Sequence, residues 1–566
     1  MRSILAGSLA AASLIAVASA AAPGTIGEVT QKAGPAGCVS SSVPGCAAGH
    51  GLGGARIAAA SPGGENVYVA AYVSDAVTTF QRDAGGALSQ SGCVSTPAST
   101  GCGPARGLDG ASTVAVSPDG KNVYAAAEDS DAVAIFDRDP LTGELTQKEA
   151  EAGCVAATGV TGECAEHPSL EGARFVTVSP DGENVYAAAQ DSHAIVVFSR
   201  DSATGALTPV EAVTGRGLRR VVALAVTPDG SNLYAAAEYG SSETPGTDGA
   251  VTIFDRDPLT GALTQKPGEA GCISELAAEA GCADGHGLAG ATSLTLSPDG
   301  RDLYVASYFI DALTSFRLGS DGALVQTGCS AGAAGDPYCA AAGGLDGVHG
   351  LATSPDGHNL YAAAKYANVM TVWDRDPATG NLVRKPGVDG CVSDDGSETI
   401  GGATSACADG TALEHAHLPT VTPDGANVYL TAYGSQAIAS FDRRLAAVEP
   451  DAPPAPVCLG ATATRVGTSG RDVLRGRRGP DVFATFAGDD VVVSFGGPDR
   501  VCGGRGDDRI RLGDGRDRAK GGAGADRLLG GRGADQLLGG RGPDSLFGQG
   551  GADLLRGGPG ADRQVP

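Results

Sequence analysis

Glycine and aspartate recur at fixed spacing over the last hundred residues, and that spacing points to metal chemistry. From Gly467 to Val565 the chain keeps a nine-residue period. Glycine fills the fourth position of all eleven units, from Gly470 to Gly560. Aspartate fills the sixth: Asp472, Asp481, Asp490, Asp499, Asp508, Asp517, Asp526, Asp535, Asp544, Asp553 and Asp562. The eighth position is apolar in all but the last unit, with Ala519 the weakest. A G-G-x-G-x-D segment makes a turn whose glycines tolerate unusual dihedrals and present backbone carbonyls beside a carboxylate. The x-U-x that follows is a short strand whose apolar side chain points into a coil. Two nonapeptides complete one coil, and coils stacked at about 4.8 Å would sandwich hard cations between successive turns. Six or more carboxylate and carbonyl oxygens are the shell calcium prefers. The eleven aspartates are therefore the expected metal ligands, and Ca2+ the expected cofactor. Disorder driven by glycine would not hold Gly and Asp in phase eleven times. Thr485-Phe486 and Ser494-Phe495 replace the opening Gly-Gly of two early units, so fewer ions are expected there.

Acid–base chemistry is harder to place, and no catalytic set is assigned. His50, His167 and His286 each precede a G-L-x-G-A or S-L-E-G-A segment, where Arg106 and Arg216 stand elsewhere. A residue that recurs repeat after repeat reads as structural, because active sites break symmetry. The symmetry breakers are His193, His349 beside Asp346, and the Glu414-His415-Ala416-His417 cluster. In the cluster, His415 and His417 would share a strand face. Asp137-Arg138-Asp139 and Asp255-Arg256-Asp257 read as capped hairpins with an internal Asp–Arg pair rather than as metal sites. No G-x-S-x-G elbow, H-E-x-x-H helix or phosphate-cradling loop occurs.

A second, longer repeat must position these residues. S/T-P-D-G, once S-P-G-G, recurs seven times at Ser61, Ser117, Ser179, Thr227, Ser297, Ser354 and Thr422, 48 to 70 residues apart. Each copy follows an alternating apolar run and precedes a second run such as Asn122-Val123-Tyr124. A third run ends at Phe80, Phe136, Phe198, Phe254, Phe316, Trp373 or Phe441. A Gly-centred turn such as Thr142-Gly143 then leads into a fourth. Period-2 runs joined by such turns are hairpin grammar, and four strands repeated seven times describe a β-propeller. The seventh unit lacks its fourth strand, but Gly27-Glu28-Val29-Thr30-Gln31-Lys32 matches Gly261-Ala262-Leu263-Thr264-Gln265-Lys266. The N-terminal segment is thus expected to complete the last blade. Fourteen cysteines fall into neighbours: Cys38/Cys46, Cys93/Cys102, Cys154/Cys164, Cys272/Cys282, Cys329/Cys339, Cys391/Cys407 and a wider Cys458/Cys502. Even, local pairing reads as disulfides, the first six placed after the fourth strands.

Units such as Ser117-Pro118-Asp119-Gly120-Lys121-Asn122-Val123-Tyr124 and Phe136-Asp137-Arg138-Asp139-Pro140-Leu141-Thr142-Gly143 resemble the seven-bladed lactonase-like propellers, including 6-phosphogluconolactonase and the muconate-lactonizing enzymes. That resemblance implies His, Glu and Arg near a central channel, without fixing their numbers. The nonapeptides resemble the RTX, or hemolysin-type, calcium-binding repeats. The fold class expected is all-β, with a propeller over residues 25–447, a Pro-rich linker and lead-in over 448–466, and a parallel β-roll over 467–565.

Residues 1–22 read as a secretory signal: Arg2, an apolar run from Ile4 to Val17, then Ala18-Ser19-Ala20. The net charge of −25 argues against nucleic acid, and no stretch reads as a transmembrane segment. After Val457 the chain holds 17 Lys+Arg against 14 Asp+Glu, so the acidity lies in the larger part before it. The expectation is a secreted monomer that binds calcium, its propeller a scaffold for an extracellular polymer, carbohydrate or protein. The alternative is an extracellular lactonase-like hydrolase with an accessory calcium domain. Unlike polar residues at one end of the channel would favour the hydrolase, and a smooth, symmetric channel would sink it.

Overall fold

The structure is a computed structural model. It describes residues 26–157, 163–238, 240–241, 244–245, 248–276, 279–332, 337–400, 403–445, 456–468, 470–477 and 479–566. The expected signal segment and most of the Pro-rich run lie outside the described residues. No helix among the described residues is long and apolar enough to cross a membrane.

Seven antiparallel sheets make the blades. Blade two shows the plan. Ala111–Val116 is innermost, followed by Asn122–Ala127, Ala132–Arg138 and an outer strand in two pieces, Leu145–Gln147 and Cys154–Ala156. The second strand is buried along its whole length, which its unbroken Val-Tyr-Ala-Ala-Ala run requires. Between strands one and two, the N–H of Gly120 donates to the Ser117 carbonyl at 2.7 Å, with Gly120 at φ 67°. Only glycine takes that conformation at little cost.

Blades are stapled to one another by polar side chains buried between them. The Tyr124 hydroxyl donates to the Gly205 carbonyl of the next blade at 2.8 Å, and Arg200 Nε of that blade donates to the Tyr124 oxygen at 2.8 Å. The ring closes as expected. Val29–Gln31 pairs with Ala437–Arg443 in the register Val29↔Arg443, and the Tyr361 hydroxyl donates to the Gly27 carbonyl at 2.9 Å.

All seven cysteine pairs are bonded as the spacing predicts. Their placement differs from expectation. Cys93 and Cys329 lie within continuous outer strands, Leu88–Ser95 and Leu324–Ala331. Cys154, Cys272 and Cys391 open the second piece of an interrupted outer strand. By its residue pattern alone the outer strand ends at the interruption. In fact a short 3-10 turn such as Ala150–Gly153 only breaks the strand, which resumes on the same neighbour.

After residue 456 the chain winds into a parallel roll of two six-stranded sheets. Partners lie 18 residues apart, as in Val473↔Val491 and Val491↔Arg509, so two nonapeptides do make one coil. Its core is the row of eighth-position side chains, including Phe483, Val492, Val501, Ile510, Leu528, Leu537 and Leu546. Burying each Leu contributes about 1.5–3 kcal/mol.

Candidate channel site and metal-binding columns

The second residue of each innermost strand lies at one end of the central channel, and these seven positions are unlike. In blade order they are Arg56, Ser112, Arg174, Val222, Thr292, His349 and His417. The residue just after each second strand adds another mixed ring: Tyr72, Glu128, Gln190, Glu238, Tyr308, Lys365 and Tyr433. Propeller symmetry, strict at the Tyr position of the same second strands, is broken here.

The two rings form one network. Arg56 Nη1 donates to Ser112 Oγ and to Glu128 Oε2, both at 2.8 Å. Gln190 Nε2 donates to Glu128 Oε1 at 2.6 Å and accepts from Arg174 Nη1 at 3.0 Å through its own Oε1. Arg174 also lies 3.6 Å from Glu238. The Arg56 guanidinium stacks 3.7 Å above the Tyr72 ring, and Lys365 lies about 6 Å from the ring centres of Tyr308, Tyr366 and Tyr433. Burial opposes charge on Glu128, but Arg174 and Arg56 outweigh it and hold the carboxyl below its usual range.

His349 and His417, from adjacent blades, face one another with ring centroids 4.0 Å apart. Burial is the first cause that pushes both imidazoles well below the ordinary histidine value, followed by Arg174, Lys365 and Arg56 for His349 and by His349 and the same cations for His417, so both are neutral near pH 7. His417 is 7 % exposed, and its Nδ1 has no protein partner. With Arg56, Ser112, Arg174 and Thr292 the pair lines a cavity of about 30 Å³, room for a water molecule. A neutral imidazole beside two guanidiniums can take a proton from water while the cations stabilise a developing oxyanion.

The other histidines serve the scaffold. His193 stands at the same turn as Asp75 and Asp131: its Nδ1 lies 2.7 Å from the Gln190 carbonyl oxygen and 3.2 Å from the Arg220 nitrogen, where Asp75 accepts from Gly110 N–H at 2.8 Å. His415 does not share a strand face with His417. It sits before the strand at φ 53° and donates its N–H to Asn368 at 2.7 Å. His50 Nε2 lies 3.0 Å from the Gly101 carbonyl, and Arg106 and Arg216 donate to carbonyls of the disulfide-bearing loops. His50, Cys93 and Cys102 converge like a metal site, but the two sulfurs are bonded to each other and offer no thiolate. The acidic turns are capped hairpins, as expected: Asp139 Oδ1 accepts N–H groups from Leu141 and Thr142 at 2.8 Å. The expected internal Asp–Arg pair does not form. Asp137 pairs with Lys148, while Arg138 reaches Tyr68 and Asn66 of the preceding blade.

In the roll the phased aspartates form two columns. Each backbone N–H donates to Oδ1 of the aspartate 18 residues on, from Asp472 to Asp490 at 2.8 Å through Asp544 to Asp562 at 3.0 Å. From Asp490 to Asp553 the Oδ2 atoms are buried without a partner. A Cβ on Gly521, Gly539 or Gly548 would come within 2.3–2.4 Å of Oδ2 of the same unit's aspartate. Glycine there leaves open a cradle beside an orphaned carboxylate oxygen, which fits a calcium ion. Asp472 and Asp481 differ, their Oδ2 atoms accepting N–H groups from Thr468 and Arg477.

Residues 51–222 match the family model of the seven-bladed lactonase propeller. Residues 466–501, 503–537 and 529–563 match the RTX calcium-binding nonapeptide repeat. The chain joins a lactonase-like propeller to RTX repeats. No curated protein matches it. Among solved structures, it is 19% identical to a candidate 6-phosphogluconolactonase of Bacteroides uniformis, with 65% of this chain and 88% of that one covered and a TM-score of 0.43. The periplasmic gluconolactonase of Pseudomonas aeruginosa is 18% identical over 63% and 86%, with a TM-score of 0.41. Hydrazine synthase of Kuenenia stuttgartiensis is 16% identical over 71% and 99%, at 0.44. The lactonase-like propeller and the RTX roll of this chain both follow the architecture expected from its repeats.

Proposed function

We propose that this is a secreted lactone hydrolase, its propeller (residues 25–447) catalytic and its roll (467–565) an accessory domain holding Ca2+ through the phased aspartates from Asp490 to Asp553. The observation that carries the reading is the broken symmetry of the channel ring. A scaffold used only for its faces has no need of two arginines, two glutamates and two neutral histidines at equivalent channel positions. His417, with His349 against it, takes a proton from a water in the small cavity. The water oxygen attacks the lactone carbonyl, and Arg56 and Arg174 stabilise the tetrahedral oxyanion. Collapse breaks the ring ester bond, the proton passes to the ring oxygen, and the product is the open hydroxy acid. Glu128, Gln190 and Glu238 hold the guanidiniums in place. The tyrosines and Lys365 at the mouth suit a sugar ring carrying negative charge.

Acid release by the calcium-loaded chain from a panel of aldono- and uronolactones tests this. Turnover by the wild-type chain, lost about 10²–10³-fold in Arg174→Met with unchanged circular dichroism, is the expected result. No turnover of any lactone by the wild-type chain would overturn it.

A further inference from the structure

Six blades end their third strand with an arginine: Arg82, Arg138, Arg200, Arg256, Arg375 and Arg443. The fifth has Leu318 at the same register, opposite Leu324 as Arg138 is opposite Leu145. Five of these arginines reach back to the S/T-P-D-G aspartate of the preceding blade: Arg200 to Asp119, Arg256 to Asp181, Arg375 to Asp299, Arg443 to Asp356 and Arg82 to Asp424, at 2.7–3.0 Å. Arg138 faces the Ser61-Pro62-Gly63-Gly64 turn, which has no carboxylate. Blade four presents the opposite mismatch. Its Asp229 keeps the carboxylate, but Leu318 removes the arginine that would pair with it.

The missing cation comes from the other domain. Asp229 Oδ1 is held within its own turn by Thr227 Oγ1 and Ser231 Oγ, each at 2.7 Å. Its Oδ2 accepts from Arg471 Nη2 at 2.9 Å, with Arg509 Nη1 at 3.6 Å. On the adjoining blade, Arg511 donates to Glu183 at 2.9 Å and lies 3.6 Å from Asp181. Arg471 immediately precedes Asp472, and Arg509 immediately follows Asp508. The arginines that grip the propeller are therefore spaced by the coils whose aspartate columns stack.

We propose that Leu318 leaves Asp229 as a socket for the roll, and that calcium-dependent folding of the roll seats Arg471 in it. This rests on the calcium reading of the repeats. Without a cation, the stacked buried carboxylates repel, and the coils that align Arg471 with Arg509 and Arg511 come apart. With calcium bound, the three arginines present one rigid face to the acidic turns of blades three and four.

The test is small-angle scattering of the full chain in calcium and in EGTA, with circular dichroism reporting the folding of the roll. The wild-type chain is expected to be compact in calcium and larger in EGTA. Leu318→Arg refills the socket from blade five, and Arg471→Glu removes the cation. Both are expected to give the larger radius in calcium while the calcium-induced dichroism change persists. The swap Asp229→Arg with Arg471→Asp should restore compactness, which guards against Leu318→Arg failing to fold. Wild-type radii for both single variants in calcium would overturn the proposal. So would a wild-type radius indifferent to calcium while the dichroism responds. Dichroism that does not respond to calcium would overturn the calcium reading, and the clamp with it.

Discussion

His417 carries the sharpest consequences of any single residue, because its Nδ1 is buried, unpartnered and next to a second imidazole. His417→Ala is expected to lower kcat for lactone opening by about 10²–10⁴-fold, the range for losing a general base, with KM little changed. The pH profile follows from the same burial. Because both histidines sit below the ordinary value, the acid limb of kcat/KM should fall below about pH 6.5, the free-histidine value. Stability follows with a definite sign. A group whose native pKa is depressed contributes stability above its unfolded pKa and loses it as pH falls toward the native one. The propeller's melting temperature should therefore hold above pH 6.5 and decline below it, less steeply in the double variant His349→Gln/His417→Gln. His349 and His417 were legible in the sequence as departures from repeat symmetry. Arg56, Arg174, Glu128 and Glu238 were not, because arginine also serves the loops, at Arg106 and Arg216, and ends the third strand of six blades, so its type alone marks no channel position. Aligning the second residue of each first strand would have exposed Arg, Ser, Arg, Val, Thr, His, His as one heterogeneous ring.

Among the elements, the roll is the one whose sequence specifies its structure most directly, since a strict period of nine fixes which side chains stack. Its glycines are constrained by contact as well as by dihedral. Gly531 has φ 102°, and a Cβ there would lie 2.0 Å from the Gly513 carbonyl oxygen of the coil below. Gly531→Val is expected to abolish the calcium-induced dichroism change of the full chain while the propeller keeps its fold. The columns also give a pH signature in the calcium-free state. Burial, the largest cause, together with neighbouring aspartates pushes Asp490, Asp517 and Asp526 up to about 6 and Asp499 and Asp508 up to about 7. A raised native pKa favours the folded form below the unfolded value of about 3.9, and that contribution is lost as pH rises through the native value. In chelator the roll should thus lose stability between about pH 4 and 7. With calcium the trend should reverse, because the ion binds the deprotonated carboxylates. Thermal melts across that range, with and without calcium, read both slopes. The outer strands were less legible than the roll, because a 3-10 turn such as Ala150–Gly153 looks in sequence like the end of a strand.

At the scale of the molecule, each innermost strand runs from the channel ring to an S/T-P-D-G turn, so the two features lie on opposite faces of the propeller. Ser61 lies five residue steps beyond Arg56, about 16 Å at the usual rise. The roll grips Asp181, Glu183 and Asp229 at the turn face, which leaves the mouth bearing His349, His417, Lys365 and the tyrosines uncovered by it. This arrangement separates stability from catalysis. Sites more than about 10 Å apart that share no partners act independently to within ~0.5 kcal/mol, which is about a twofold change in rate. Arg471→Glu should therefore lower the melting temperature of the calcium-loaded chain yet leave kcat/KM for a small lactone within about twofold of wild type. A monomeric lactone is the substrate to use, because a polymer long enough to reach around the rim could touch both faces. A loss well beyond twofold on the small lactone would mean that the strands transmit the state of the turn face to the channel ring. The innermost strands, packed against their neighbours around the whole ring, would then be a mechanical link, where the present geometry makes them a partition.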